Sequence, residues 1–206
     1  MIKLYDFPRS PYCQKVRLVL DEKDLSYEKV FIDLTKNEQK APDFLRLNPY
    51  GKVPVLIDDD EVIYDSTIIN EYLEDEYPHP PLMPEQSSMR ARVRIFEDFA
   101  DNSFTAQAGL LVAEVRKPSE QVDQERVQRY RVDLLRVLEF LERHLEGKEC
   151  VAGSFSLADV AFVPRLLILP SLGVEIPTRL RNVLAWIEHL QQRPSVRRLQ
   201  QELAAL

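Results

Sequence analysis

Residues 10–13, Ser-Pro-Tyr-Cys, open a predicted helix, where their types and spacing could support sulfur chemistry. A cysteine in place of Ser10 would complete a Cys-X-X-Cys motif, the arrangement used in thiol–disulfide exchange. Serine followed by proline is also a favoured helix start, so Ser10 is expected to cap the helix. The free N–H groups of a helix start carry partial positive charge, and a thiol held there ionises more easily. Ser10 could therefore be a cap alone, or a cap that also donates a hydrogen bond to a substrate thiolate.

The cysteines and histidines of the chain predict neither a disulfide nor a metal site. Cys13 lies on an apolar stripe of its helix, so we expect a buried and unreactive thiol. Cys150 is far away in sequence, and a reducing compartment is expected, so no disulfide is assigned. No second His or Cys stands at metal-binding spacing from any of the three histidines, which are His79, His144 and His189.

The composition is typical of a soluble globular protein. The chain has 206 residues, of which 45% are hydrophobic and 30% charged, enough for one large domain or two small ones. No apolar run approaches the ~20 residues of a membrane span. The N-terminus has no apolar signal segment, so we expect a cytoplasmic protein with no membrane contact. The net charge of −7 argues against a nucleic-acid partner.

The first part of the chain mixes strand and helix patterns in the order βαβαββα. A strand, a crossover helix and a second strand favour parallel pairing, whereas a closing hairpin adds antiparallel strands. The predicted elements are a strand at 2–5, a helix at 11–23, a strand at 28–33, a short helix ending before Pro49, a hairpin of 53–57 and 61–64, and a helix at 66–77.

A proline-rich segment, PHPPLMP at 78–84, separates this pattern from a purely helical one. Four prolines in seven residues cannot lie inside a helix and favour a stiff, extended link. The helical pattern after it predicts two long helices at 85–116 and 119–146, and it includes Ser156 and Asp159 at capping-box spacing. The sequence thus predicts an α+β protein with a mixed domain at 1–77, a linker at 78–84 and an all-α domain at 85–206.

Five stretches together resemble the cytosolic glutathione transferase superfamily, in its Ser-type form. They are SPYCQKVRLVL at 10–20, NPYGKVPVL at 48–56, YDSTIINEYLEDEYP at 64–78, FSLADVAF at 155–162 and WIEHLQQRPSVRR at 186–198. None is decisive alone, but five in this order are specific. The resemblance implies a thioredoxin-like domain followed by an all-α domain, usually in a homodimer. It also implies detoxification, with glutathione as co-substrate and a small hydrophobic electrophile as second substrate.

A second, narrower resemblance is to the stringent starvation protein A group. It is carried by EYLEDEYPHPPLMP at 71–84 and LPSLGVEIP at 169–177. Proteins of that group have the transferase fold but bind RNA polymerase and regulate transcription. The loop before the first helix is altered in that group, whereas this chain keeps a transferase-like Ser10. The leading interpretation is a glutathione transferase, and the alternative is a non-enzymatic regulator that binds RNA polymerase through its PHPP surface.

The transferase resemblance assigns roles near the start of the first helix and at a proline before the third strand. It makes Ser10 the catalytic hydrogen-bond donor to the glutathione thiolate. Tyr5 is a rival, because some classes use a tyrosine at the end of the first strand, but aligning the helix puts Asp6 at that place. Val53 is expected to precede a cis proline, Pro54, and to offer its backbone to the cysteinyl part of glutathione. A glutathione-dependent reductase or peroxidase is a third possibility, and the absence of cysteine at position 10 counts against its thiol-transfer form.

The remaining predicted residues would hold the two ends of glutathione and the second substrate. Ser66 is a plausible cap of the helix that follows it, and with Asp65 it should hold the γ-glutamyl end. Relatives usually carry Glu where this chain has Asp65, and one methylene less shortens the reach. Lys40 and Lys52 could meet the glycyl carboxylate or could simply be solvated. The residues that could form an apolar wall for the electrophile, or could equally be core, are Phe7, Tyr12 and Phe104.

Overall fold

The computed structural model describes residues 1–205 and divides the chain into two compact units. The first unit contains Met1–Leu82 together with the C-terminal stretch from Ser195, and the second is Met83–Pro194. The change of unit after Leu82 falls within the predicted linker. The C-terminal stretch was expected in the helical domain, but ion pairs join its helix to the first unit, as described below. No helix in residues 1–205 is both long and apolar enough to cross a membrane.

The first unit is built on a four-stranded mixed sheet, which confirms the predicted pattern. Its strands are β1 Ile2–Asp6, β2 Tyr27–Phe31, β3 Val55–Asp58 and β4 Glu61–Tyr64. They lie in the order β2-β1-β3-β4. The β1–β2 pair is parallel because a crossover helix joins its strands, and the other two pairs are antiparallel.

Helices α1 Pro11–Glu22, α2 Pro42–Leu47 and α3 Ser66–Glu76 complete the βαβαββα order. Alternate side chains of β1 are buried, with Ile2 and Leu4 on one face, as a half-buried strand requires. Helix α1 starts at a proline in its first turn and buries most of its length. Two short 3-10 turns, Leu34–Lys36 and Glu38–Lys40, connect β2 to α2.

The second unit contains helices only. They are α4 Ser87–Phe99, α5 Ala106–Val115, α6 Gln124–His144, α7 Leu157–Leu166 and α8 Arg181–Gln191, with 3-10 turns at Ser119–Gln121 and Pro170–Leu172; the C-terminal helix, α9, is Pro194–Ala204. A π-helical turn at Ala100–Thr105 separates α4 from α5, where the sequence pattern predicted one continuous helix.

The predicted capping box at the start of α7 is confirmed. The Ser156 N–H donates to Asp159 Oδ2 at 3.1 Å. Asp159 Oδ1 accepts from the Val151 N–H at 3.1 Å and from Trp186 Nε1 at 2.9 Å. Burial raises the pKa of Asp159, and these hydrogen bonds oppose the shift. One carboxylate thus fixes the helix start and the aromatic core of the second unit.

Candidate functional site

One edge of the sheet gathers three of the predicted site segments. Tyr5, near the end of β1, pairs with Val55 at the start of β3. Val55 also pairs with Tyr64, the last residue of β4. Because neighbouring strands are ~4.8 Å apart, the chain segments that leave these three strand ends start close together. They are 7–10 after β1, 53–54 before β3 and 65–66 after β4.

Ser10 is the N-cap of α1, which confirms the cap prediction. Its backbone is extended, with φ −78° and ψ 121°, and its N–H donates to Phe7 O at 2.8 Å. The Ser10 Oγ accepts the N–H of Cys13 at 3.4 Å, longer than the usual 2.9–3.0 Å or so. This capping contact is therefore weak. It uses an acceptor site of the hydroxyl, whose proton can be donated elsewhere.

Cys13 is fully buried, as expected. Desolvation, followed by the nearby carboxylate of Asp6, raises the pKa of the Cys13 thiol to about 12. Its sulfur accepts the N–H of Phe7 at 3.5 Å. A thiol with this pKa stays protonated near neutral pH, and the protonated form is a poor nucleophile. The sulfur nearest to Ser10 in sequence is therefore structural.

Two side chains that the sequence analysis missed hold the loop before Ser10. Gln14 Nε2 donates to Pro8 O at 2.7 Å, and Arg17 Nη2 donates to the same oxygen at 3.0 Å. Gln14 and Arg17 lie three residues apart on α1 and are 3% and 5% exposed. Two polar residues at this spacing share one face of a helix, and that pattern was the available signal. Burying polar groups is costly unless they are hydrogen-bonded, so such a pair needs internal partners.

The Val53–Pro54 peptide bond is cis, as the resemblance implied. The side chain of Val53 lies in a core cluster with Cys13 and Val55. The turn before it is shaped by Asn48, whose Nδ2 donates to Lys52 O at 2.7 Å. Asn48 Oδ1 accepts the N–H of Tyr50 at 3.0 Å. Asn48 was quoted within a motif but was given no role by the sequence analysis.

The two lysines predicted near the glycyl end both belong to exposed segments. Lys40 Nζ donates to Tyr50 O at 3.2 Å. The neighbouring Gly51 has φ +59°, and a Cβ there would lie 2.9 Å from the backbone oxygen of Gln39, so glycine is required on two counts. Lys52 is exposed, and only its carbonyl oxygen is used in the turn. A role for either lysine in binding stays a prediction.

The start of α3 differs from the prediction, because Asp65 rather than Ser66 is the N-cap. Asp65 Oδ1 accepts the N–H of Thr67 at 3.0 Å and that of Ile68 at 3.4 Å. Its φ is +74°, and Ser66 is already the first helical residue, 4% exposed. A carboxylate suits the positive end of a helix better than a hydroxyl does. Lys15 Nζ donates to Thr67 Oγ1 at 2.8 Å and adds positive charge at this helix start.

The three aromatic residues predicted to face the electrophile are divided between the units. Phe7 packs against the core cluster of the first unit, with its ring centroid 6.2 Å from that of Phe31. Tyr12 is 37% exposed. Phe104 belongs to the second unit, where it is fully buried and its ring lies 5.6 Å from that of Phe162. Their role as a wall for a second substrate stays a prediction.

Comparisons with known proteins match almost the whole chain. The family description "Glutathione S-transferase, N-terminal domain" matches residues 4–81, and "Glutathione S-transferase, C-terminal domain" matches residues 89–194. Glutathione S-transferase 3 of Zea mays is 34% identical over 206 residues, covering 94% of this chain and 90% of that protein. A stringent starvation protein A homolog of Coxiella burnetii is 32% identical over 187 residues, covering 87% of this chain and 81% of that protein.

Solved structures agree with the sequence relatives. The glutathione transferase URE2P8 of Phanerochaete chrysosporium, solved with oxidized glutathione, superposes with a TM-score of 0.88 at 29% identity, covering 100% of this chain and 97% of that one. Glutathione transferase F7 of Populus trichocarpa superposes with a TM-score of 0.87 at 26% identity, covering 98% of this chain and 99% of that one.

Proposed function

Because the chain belongs to the glutathione S-transferase family, we propose that it conjugates glutathione to small hydrophobic electrophiles, as a detoxifying enzyme. The observation that carries this proposal is the position of Ser10. It caps α1 with a weakly engaged hydroxyl, in a segment that leaves the same sheet edge as segments 53–54 and 65–66. The start of a helix is a favourable place for the negative charge of a thiolate.

The chemical step needs little from the protein beyond stabilising a thiolate. The hydroxyl of Ser10 donates to the glutathione sulfur, and the start of α1 adds positive potential. The thiolate attacks the electrophilic carbon, a C–S bond forms, and the leaving group departs with the bonding electron pair. Burial of Cys13 supports conjugation over disulfide exchange, since it removes the nearest competing thiol.

The rest of glutathione would be held by the remaining predicted residues. The backbone of Val53, beside the cis peptide bond, would pair with the cysteinyl part as an added strand does. Asp65 would accept from the γ-glutamyl ammonium, while Ser66 and the free N–H groups of α3 would take its carboxylate. Lys40 and Lys52 would meet the glycyl carboxylate. Because Asp65 already serves as cap, its reach toward the ligand is fixed by α3.

An apolar surface for the electrophile and a second copy of the chain complete the proposal. The electrophile would contact Phe7 and Tyr12 of the first unit. Tyr50 and Ile68 of the first unit are 68% and 57% exposed, and large apolar side chains left in water favour association. We expect a homodimer in the cytoplasm, and light scattering after size-exclusion chromatography measures the oligomeric state.

Calorimetric titration with glutathione tests the proposal most directly. A dissociation constant between micromolar and low millimolar supports an enzyme, since glutathione would then occupy the site at usable concentrations. Conjugation of a chlorodinitrobenzene-type electrophile, followed by absorbance, should accompany binding. Absence of binding at about tens of millimolar glutathione contradicts the proposal.

A second candidate function is that of a transcription regulator that binds RNA polymerase. It is favoured by segment 78–81, Pro-His-Pro-Pro, in which every residue is exposed. The backbone of this exposed segment is held by a buried lysine, because Lys23 Nζ donates to Tyr77 O at 2.6 Å and to Pro80 O at 3.1 Å. A stiff exposed surface loses little entropy on binding. Similarity to stringent starvation protein A homologs supports the same candidate.

A pull-down with purified RNA polymerase tests this candidate. Retention of the wild-type protein that is weakened by His79→Ala would support binding through segment 78–81. A matched control is His189→Ala, which removes a histidine from α8 and leaves segment 78–81 unchanged. Failure of the polymerase to retain the wild type contradicts the regulator function.

A further inference from the structure

The last helix, α9, forms ion pairs with residues near the start of the chain, far from it in the sequence. Glu202 Oε2 lies 2.8 Å from Arg17 Nη1, and Glu202 Oε1 lies 2.9 Å from Lys29 Nζ. Arg198 Nε lies 3.2 Å from Asp21 Oδ2 on α1. A hydrogen bond between Ser195 and Glu22 adds a further contact near the start of α9. Helix α9 is thus attached to α1 at several points.

Only one of these contacts continues to the loop that carries Ser10. The guanidinium of Arg17 uses Nη1 for Glu202 and Nη2 for Pro8 O, at 2.8 Å and 3.0 Å. The two nitrogens belong to one rigid planar fork, so a shift at one hydrogen bond moves the other. Arg17 therefore connects the last helix to the backbone two residues before Ser10.

The loop between Pro8 and Ser10 transmits such a shift efficiently. Proline fixes φ at position 8 and again at position 11, so the backbone on either side of Ser10 has little conformational freedom. The N–H of Ser10 donates to Phe7 O at 2.8 Å, which ties the two ends of this short segment together. Gln14 anchors the Pro8 carbonyl from one side only, at 2.7 Å. The second anchor is Arg17.

Glu202 is the closest negative charge to Arg17. The other candidate, Asp6, lies 3.8 Å from Arg17 Nη1, and its burial raises its pKa and so weakens its charge. Without the charge of Glu202, the guanidinium would be drawn toward Asp6. That movement would lengthen the hydrogen bond to the Pro8 carbonyl.

We propose that Glu202 is a positioning residue that fixes the Ser10 loop through Arg17 and Pro8. The inference rests on the proposed transferase function and deepens it. The last helix, far from the reacting atoms in sequence, sets the distance between the Ser10 hydroxyl and the glutathione thiolate. Glu202 itself is half exposed and does not touch glutathione in this role.

The test compares Glu202→Gln with Arg198→Gln in the full-length protein. Both variants remove one ion pair between α9 and α1, and Glu202→Gln also removes the pair with Lys29 on β2, but only Glu202 is connected to the Ser10 loop. Glu202→Gln should raise the pKa of the bound glutathione thiol, measured by ultraviolet absorbance of the thiolate, and leave KM for glutathione nearly unchanged. Its kcat should fall about tenfold, because a misplacement of ~1 Å far from the reacting atoms can cost up to a hundredfold. Arg198→Gln should behave like the wild type.

Amide hydrogen exchange of the glutathione-free protein gives a second readout. The amides of Ser10 and Cys13 should exchange several-fold faster in Glu202→Gln and at the wild-type rate in Arg198→Gln. If the wild type fails to bind glutathione, the proposed function fails, and exchange alone decides whether Glu202 positions the loop. Unchanged exchange, faster exchange with unchanged kinetics, or equal effects in both variants would each overturn the inference.

Discussion

Two buried cations of the α1 segment, Arg17 and Lys23, each donate hydrogen bonds to the backbone carbonyl oxygens of a different loop. Arg17 donates to Pro8 O in the Ser10 loop, and Lys23 donates to Tyr77 O and Pro80 O beside the exposed proline segment. Each also pairs with a carboxylate, at 2.8 Å for Arg17–Glu202 and 2.7 Å for Lys23–Glu74. The first segment serves the proposed enzyme and the second serves the alternative regulator.

The two cations differ in how completely their hydrogen bonds are satisfied. The ammonium of Lys23 has three N–H donors, and three oxygen acceptors surround it. The side chains of Lys23 and its partner Glu74 are 0% and 6% exposed. Arg17 pairs with a carboxylate that is 43% exposed. Its Nε is buried with no hydrogen-bond partner in residues 1–205. The contacts of Lys23 therefore stabilise the fold strongly. Those of Arg17 stabilise it less, and in our proposal they fix the position of the Ser10 loop.

The largest effect should come from Lys23→Met. The substitution leaves the buried carboxylate of Glu74 without its cation, and breaking such a pair costs about 3–5 kcal/mol. Urea unfolding followed by circular dichroism measures the loss. Lys36→Met is a matched control, because the Lys36–Asp33 pair is 3.3 Å long with a lysine 73% exposed, and should cost under about 1 kcal/mol. Equal small losses in both variants would remove the contrast between the two cations.

Arg17→Met should destabilise less, by about 1–3 kcal/mol for the hydrogen bonds it removes. The buried partner Asp6 can take up a proton, since its pKa is already raised by burial. A raised folded pKa means that the folded state loses stability as pH rises through that pKa. Removing the cation raises this pKa further, so the deficit relative to wild type should grow with pH. Unfolding curves measured between about pH 5 and pH 8 check the slope, and a flat deficit would show that Asp6 does not titrate there.

The sequence could predict the Lys23 region better than the Arg17 region. Proline spacing predicted a stiff link at 78–84 with an exposed surface at 78–81, and the order of strand and helix patterns predicted the mixed sheet, because both are local properties of the chain. The role of Arg17 depends on Glu202, which is 185 residues away. No local pattern records such a pair, so the attachment of α9 to the first unit was not predicted.

Errors at single residues have local physical reasons. Ser66 was predicted as the cap of α3 because serine before an apolar stripe is a common start. The backbone at Asp65 instead adopts φ +74°, which brings its carboxylate onto the first N–H groups of the helix. The π-helical turn at Ala100–Thr105 was missed because its buried residues Ala100 and Phe104 keep helical spacing, although the Asp-Asn-Ser run between them is a weak helix former.

Substitutions at Asp65, the cap of α3, separate the effect of a charge at a helix start from the effect of the capping hydrogen bonds. Substitutions of Arg17 or Lys23 do not make this separation. Asp65→Asn keeps a good capping side chain but loses the charge, so glutathione binding should weaken by about 1–3 kcal/mol while stability is nearly retained. Asp65→Ala should lose both binding and about 1 kcal/mol of stability. Ser66→Ala should weaken binding by a similar ~1–3 kcal/mol. Calorimetry and urea unfolding separate the two effects, and unchanged affinity in all three variants would remove this helix start from the site.

Ser10→Ala should have only a small effect on stability, although its effect on chemistry should be clear. The capping contact is 3.4 Å long, so its loss should cost near the lower end of about 0.5–2 kcal/mol. A depression of the bound thiol's pKa by about 1–2 units corresponds to roughly 1.4–2.7 kcal/mol, of which only part belongs to the hydroxyl. Conjugation near neutral pH should slow accordingly. Conjugation at the wild-type rate, with chemistry rate-limiting, would reduce Ser10 to a cap.

Ser10→Cys separates the contribution of the hydroxyl from that of the helix start. The variant places a thiol where the start of α1 favours the thiolate, three residues before the buried Cys13. It should form a mixed disulfide with glutathione and gain glutathione-dependent disulfide reduction while losing conjugation. Assays of conjugation and of mixed-disulfide reduction on wild type, Ser10→Ala and Ser10→Cys check this exchange of activities. If Ser10→Cys gains no reductase activity although glutathione still binds, the potential at the start of α1 is too weak to activate a thiol. The thiolate of bound glutathione would then depend on the hydroxyl, and the precise placement of Ser10 by Arg17 would matter more than the helix it caps.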